Sequence, residues 1–193
     1  MDTFSGVAQK LSLPGAVGVI PTDTVYGLAA RASDEAAVKR LYELKGRDGK
    51  PGTLIAASID QLEALGLKHR YLKAVEQFWP GAVSIIIPCG QELTYLHQGK
   101  YSLAVRIPDS PKLQKLLEQT GPLLTSSANK TSEPPATTTA QAKNIFGNQV
   151  DFYVDGGDLS QRQPSTVIRI VDDAIEVLRP GAVKINEAGR IEP

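Results

Sequence analysis

The chain of 193 residues carries 21 Lys and Arg against 21 Asp and Glu, with two His, one Cys and one Trp. Zero net charge argues against a uniformly basic nucleic-acid coat or a basic membrane-surface protein, and the lone Cys89 rules out an intramolecular disulfide. The N-terminus has acidic Asp2 and no basic n-region, and the longest apolar runs (16–21 and 83–88) fall far short of the ~20 residues a bilayer requires; a soluble, cytoplasmic chain with one domain over 1–193 is expected.

In chain order, the pattern predicts a helix over 4–11 and a strand over 16–20. A helix over 34–45 follows, with Val38, Leu41 and Leu44 on one face and Gly46 as its stop. After a strand at 53–57, Ser58 and Gln61 have capping-box spacing and open a helix towards Leu65. Next come a helix over 70–78 and strands over 82–88 and 102–107. A helix over 111–119 has Ser110 as N-cap and Pro111 in its first position. A strand at 122–125 precedes a second capping box, Thr138 with Gln141, which opens a helix towards Phe146. Strands at 150–154, 166–171 and 175–178 complete the set. Strands alternating with helices indicate an α/β fold, and the closely spaced last strands imply a mixed, partly antiparallel sheet.

The familiar catalytic signatures are missing: no P-loop, GxGxxG, GxSxG or HExxH, and no cysteine pair. His69, among Lys68, Arg70 and Lys73, reads as part of a solvated helix face. His97 receives no role. Cys89 beside Pro88 reads as a small buried residue, and Asp155-Gly-Gly-Asp158 as a turn after a strand rather than a metal loop.

Polar clusters at strand ends remain, where open α/β sheets place their ligands. The first is Pro21-Thr-Asp-Thr-Val-Tyr-Gly-Leu28, whose Thr22, Asp23 and Thr24 also suit a self-satisfied turn. In the second, Lys45, Arg47 and Lys50 gather at a Gly-rich helix exit. They suit a polyphosphate, and they equally suit a helix C-terminus. The third is Leu123-Leu-Thr-Ser-Ser-Ala-Asn129, an apolar strand ending in hydroxyls and an amide. Weaker companions are Ser102 to Arg106, Pro164-Ser-Thr166 and Leu178-Arg-Pro-Gly181. Cations and hydroxyls without an evident nucleophile suit nucleotidyl or phosphoryl transfer, which runs on positioning and charge neutralisation.

The segments PTDTVYGL (21–28), KGR (45–47), LAVRIP (103–108), SAN (127–129), PSTV (164–167) and LRPG (178–181) occur in the order and approximate spacing of the YrdC/TsaC family, and the chain resembles that family from about residue 15 to 181. The resemblance implies a twisted mixed sheet with flanking helices and a concave basic cavity. It implies a threonylcarbamoyl-AMP synthase, which joins L-threonine, bicarbonate or CO₂ and ATP into threonylcarbamoyl-adenylate and pyrophosphate for the t6A modification of tRNA. Implied partners are a downstream threonylcarbamoyl-transferase complex and tRNA or double-stranded RNA. The implied cofactor is Mg²⁺ carried by ATP, with no protein metal site. Residue by residue, the resemblance makes Lys45 and Arg47 catalytic. It gives Arg47, Lys50, Ser102, Ser127, Asn129 and Arg179 to ATP, and Thr24, Arg106, Thr125 and Ser165 to threonine.

The chain departs from the family pattern in three places. Asp48 stands where Pro usually follows the Lys-x-Arg pair, in a loop one residue short. Lys130-Thr-Ser132 replaces x-Ser-Gly after SAN. Arg162 stands where a Gly precedes PSTV. An end at Pro193 suggests the single-domain form. Two other readings are a non-catalytic RNA-binding module of the same fold and a carbamoyl-transfer domain like that of hydrogenase-maturation proteins. The first is disfavoured by Lys45, Arg47, Ser127 and Asn129 standing together, the second by the lack of acylphosphatase and zinc-finger parts.

Overall fold

The computed structural model describes residues 4–46, 49–172, 174–186 and 190–192. Arg47 and Asp48, both singled out by the sequence, therefore lie outside the described residues.

Among the described residues nine strands form one mixed sheet: β1 (Val17–Pro21), β2 (Tyr26–Arg31), β3 (Thr53–Ile55), β4 (Val83–Pro88), β5 (Ser102–Arg106), β6 (Leu123–Ser127), β7 (Phe152–Tyr153), β8 (Thr166–Val171) and β9 (Ala174–Arg179). Their order across the sheet is β7-β1-β2-β6-β3-β5-β4-β8-β9. The pairs β1–β7, β3–β5 and β4–β8 are parallel, the other five antiparallel. The mixed α/β sheet expected from the sequence is thus present.

Helices α1 (Val7–Leu11), α2 (Glu35–Lys45), α3 (Ile59–Leu65), α4 (His69–Lys73), α5 (Thr94–His97), α6 (Pro111–Thr120) and α7 (Thr139–Phe146) flank it. The starts of α2, α3, α6 and α7 are set by side-chain caps. Asp34 accepts from the Ala37 amide and Ser110 from that of Leu113. Partial burial pushes the Asp34 carboxyl up, but the amides of Ala37, Gly15 and Ala36, with Arg31, outweigh it and hold it below the ordinary carboxylate value. Ser58 and Thr138 cap through the amides of Gln61 and Gln141. The returning glutamine bonds reach one residue upstream of each cap, to the amides of Ala57 and Thr137.

Several expectations change: the helix expected at 4–11 begins at Val7, the strand expected at 53–57 ends at Ile55, and α5 answers to no expected element. The helix expected at 70–78 is α4 followed by a 3₁₀ turn, Glu76–Phe78. The strand expected at 150–154 shrinks to β7, two residues at the sheet edge. Strand β2 was not anticipated: Gly27, Ala29 and Ala30 lack the β-branched and aromatic character that marks strands.

The two faces of the sheet differ. Val19, Leu28, Leu54, Ile85, Val105 and Leu124 project to one face and pack against α2, α3, α4, α5 and α7 in the larger core. Ile20, Ala29, Ile55 and Leu123 project to the other and are covered by α1 and α6 through Val7, Leu11, Leu113, Leu116 and Leu117. That cover stops short, and the remainder of this face is open.

Candidate active site

Residues opposite one another in a ladder share a face. Ala29 pairs with Thr125, Thr125 with Thr53, Thr53 with Ala104, and Ala104 with Ile86. Gly27 pairs with Ser127 on the same face. Side chains this small leave room above the sheet, and a cavity of about 250 Å³ opens there. This explains β2 as well: residues too small to announce a strand are the ones an empty space above the sheet requires.

Walls come from three strand-end clusters named by the sequence. Thr22 and Thr24 stand on one side, Pro164, Ser165 and Arg179 on another, and Pro51 and Gly52 precede β3. A Cβ added at Gly52 would lie 2.5 Å from the Thr125 carbonyl oxygen, a backbone atom of the cavity floor. Gly52→Ala should therefore displace β6, cost about 1–3 kcal/mol, and raise the concentration of small substrate needed for half-maximal turnover. Thermal melting with steady-state kinetics measures both, and wild-type values for the two would contradict this reading.

The Thr22–Thr24 turn is partly self-satisfied, as the bland reading holds: the two hydroxyls lie 3.0 Å apart, and that of Thr22 also donates to the Val25 carbonyl. Asp23 is different. Both its oxygens accept from Nη1 of Arg106 on β5, and the two side chains are only 7 % and 4 % exposed. Arg106 lines the cavity, and its Nε is buried without a partner among the described residues. Thr125 is buried and donates its hydroxyl proton to the Thr53 carbonyl at 3.0 Å. The hydroxyls of Ser165 and Ser84 lie 2.8 Å apart, and Arg179 Nη2 donates to the Ser165 carbonyl and hydroxyl. Gly181 permits this approach, since a Cβ there would meet the Pro164 carbonyl at 2.3 Å.

Lys45, at the end of α2, is buried below the exit of β6 rather than lining the cavity. Its Nζ lies 2.6 and 3.2 Å from the carbonyl and hydroxyl oxygens of Ser127, and 2.9 and 2.6 Å from the carbonyl and side-chain oxygens of Asn129. Asn129 Nδ2 donates to the carbonyls of Lys130 and Glu133. In return, Lys130 Nζ and the Thr131 hydroxyl bind the carbonyls of Leu44 and Lys45. The helix end and the strand exit hold each other.

Ser127 lines the cavity, while Lys50 is exposed and absent from its lining. Among the described residues the Ser102 hydroxyl reaches only the Lys100 carbonyl, at 3.4 Å, and it also stands outside the lining. The structure thus gathers Thr24, Arg106, Thr125, Ser127, Ser165 and Arg179 around one space, with Lys45 and Asn129 behind Ser127. Sequence reasoning passed over Asp23 as a partner of Arg106, and also Ser84. The one signal for Ser84 was a hydroxyl inside an otherwise apolar run.

The remaining polar groups have local duties. His97 Nδ1 accepts from the amides of Gly99 and Tyr101 ahead of β5. Asp155 accepts from the Gly157 amide and the Thr139 hydroxyl, which hold its carboxyl below the ordinary value. Burial, with Glu92 nearby, pushes the Cys89 thiol up to about 11. The thiolate is the nucleophile, so alkylation by iodoacetamide should be slow at neutral pH and accelerate only as pH climbs towards that value. Rapid labelling at neutral pH, followed by mass spectrometry, would contradict this.

Among known proteins, the Sua5/YciO/YrdC family model, described as telomere recombination, matches residues 11–181. The threonylcarbamoyl-AMP synthase of Chromohalobacter salexigens is 38% identical over 158 residues, covering 79% of this chain and 85% of the relative. That of Bacillus subtilis is 35% identical over 185 residues, covering 92% of this chain but 54% of the relative. The crystal structure of Pyrococcus abyssi Sua5 complexed with L-threonine superposes with a TM-score of 0.82 at 32% identity, covering 93% of this chain. This chain spans about half the length of the last two. With the family model spanning the mixed sheet, the cavity and all six motif segments, the chain belongs to the Sua5/YciO/YrdC family.

Proposed function

We propose that the protein is a threonylcarbamoyl-AMP synthase, a nucleotidyltransferase that joins L-threonine, bicarbonate or CO₂ and ATP into threonylcarbamoyl-adenylate and pyrophosphate. The carrying observation is Arg106, a buried guanidinium in a hydroxyl-lined cavity with one edge unpartnered. That edge suits a carboxylate, which a guanidinium binds with two parallel hydrogen bonds. Relatives that are named for this activity, and the threonine complex of P. abyssi Sua5, support the reading.

At about 250 Å³ the cavity lies below the roughly 300–1,000 Å³ of drug-sized sites. It suits an amino acid, and the nucleotide lies across its mouth. In this scheme Arg106 takes the threonine carboxylate, and Thr24, Thr125 and Ser165 surround the rest of the molecule. Ser127 and Arg179 meet ATP at the rim, with Lys45 and Asn129 holding Ser127 in place. For Ser102, Arg47 and Lys50 a role toward the nucleotide rests on the family resemblance alone. Arg106 and Arg179 are the cations that the described residues bring to the lining of this concavity.

The threonine amine loses a proton and adds to CO₂, and a carbamate oxygen then attacks the α-phosphorus as pyrophosphate departs. Positioned cations stabilise the charge that builds on the phosphoryl oxygens. Among the described residues no three His, Cys, Asp or Glu side chains group to hold a metal. A Mg²⁺ ion carried in by ATP, held by its phosphates and water, would neutralise phosphate charge when bound. Walls on three sides shield the labile carbamate and mixed anhydride from water.

The product goes to a threonylcarbamoyl-transferase complex acting on tRNA in the cytoplasm. No helix among the described residues is long and apolar enough to cross a membrane. The test is incubation with ATP, Mg²⁺, bicarbonate and labelled threonine. Threonine-dependent pyrophosphate and the labelled adenylate are expected, and RNA binding without turnover would instead favour a non-catalytic module.

A further inference from the structure

Arg106 and Asp23 meet in an uneven way. A guanidinium has two edges that can grip a carboxylate with paired donors, one formed by Nη1 and Nη2 and the other by Nε and Nη2. Asp23 uses neither. Both of its oxygens accept from the single nitrogen Nη1. Nη2 makes no hydrogen bond to a described residue, and Nε is a buried donor without a partner. A buried donor left unmade is costly, and here it belongs to a side chain that lines the cavity. Asp23 is itself held from behind, because the turn bearing it is closed by the Thr22 and Thr24 hydroxyls and Arg162 Nη1 donates to the Thr22 carbonyl.

We infer that Asp23 is the positioning residue of the amino-acid site: it holds Arg106 by Nη1 and so keeps the Nε–Nη2 edge free and aimed for the ligand carboxylate. The inference rests on the proposed threonine site and assigns to this chain how that site is oriented. Asp23 supplies two things at once. It offsets the cost of burying the guanidinium away from water. It also fixes the rotation of the guanidinium plane, without which the two donors would not lie parallel to the carboxylate oxygens.

The test compares Asp23→Ala, Asp23→Asn and Arg106→Ala by steady-state pyrophosphate release, varying threonine at saturating ATP and then the reverse, with a thermal melt of each variant. Loss of orientation at a site read to ångström precision costs on the order of tenfold or more. Asp23→Ala should therefore raise the threonine KM about tenfold or more, with kcat and the ATP KM within about threefold. Asp23→Asn keeps one acceptor for Nη1 and should fall between, with a rise of about three- to tenfold. If Asp23→Ala does not fold, Asp23→Asn decides: a selective rise in threonine KM supports the assignment and an unchanged value overturns it. A parallel rise in both KM values, or a fall in kcat alone, overturns it as well by showing a merely structural role. An unchanged threonine KM in Asp23→Ala, with threonine use abolished in Arg106→Ala, overturns the assignment and leaves the carboxylate site standing. A wild-type threonine KM in Arg106→Ala overturns both.

Discussion

Arg106→Ala should abolish threonine-dependent pyrophosphate release and lower the melting temperature together. The first effect follows from losing the two charge-assisted hydrogen bonds proposed to the threonine carboxylate, worth roughly 1.5–3 kcal/mol each, which amounts to at least about a hundredfold at ~1.4 kcal/mol per tenfold. The second follows from the partner left behind. Asp23 is 7 % exposed in its side chain and would be left with no cation against it. Breaking a buried ion pair from one side costs about 3–5 kcal/mol, or roughly 10 °C for a chain of this size.

The double variant Asp23→Ala/Arg106→Ala separates the two effects. It removes both charges, so much of the stability should return while threonine use stays lost. Calorimetry and the pyrophosphate assay on the cycle of variants measure this coupling. Wild-type threonine kinetics in Arg106→Ala would remove the central group of the proposed site.

Lys45→Met should reduce ATP use by tenfold or more, although the ammonium does not line the cavity. Four oxygens of Ser127 and Asn129 converge on its Nζ. Methionine retains the apolar stem but offers none of them a proton, and each buried acceptor left unmade costs about 1–3 kcal/mol. Some will find water, so a net loss of about 2–4 kcal/mol is expected. The strand exit carrying Ser127 then loses its tie to α2, and the nucleotide loses a rim held in place. The ATP KM should rise more than the threonine KM, because the threonine side of the cavity has its own supports in Asp23 and Ser84. Unchanged ATP kinetics with a lowered melting temperature would show Lys45 to be a helix-end clamp and nothing more.

Much of the local structure was legible because local chemistry decides it. Asp34, Ser58, Ser110 and Thr138 each cap the helix they announce, since a side-chain oxygen at that position satisfies an amide the helix cannot. The apolar strands β4, β5 and β8 were legible for the same reason. The clusters at 21–28, 123–129 and 164–166 were visible as polar groups ending apolar runs. What each side chain does there was not. The cations at 45–50 read equally as helix-end or phosphate-binding groups. Only the packing shows Lys45 turned onto Ser127 and Asn129, and Lys50 outside the cavity lining.

The sequence by itself determined the starts of α2, α3, α6 and α7, the mixed α/β class and, through six ordered segments, the family. Tertiary structure alone decided where β2 goes and which charges meet. Strand β2 lies between β1 and β6, with glycine and alanine where the cavity needs space, and small residues carry no strand signal of their own. Asp23 meets Arg106 across 83 positions, and Lys45 meets Asn129 across 84. No periodicity or spacing encodes such pairs, because they exist only once non-local strand pairing has closed the loops between them.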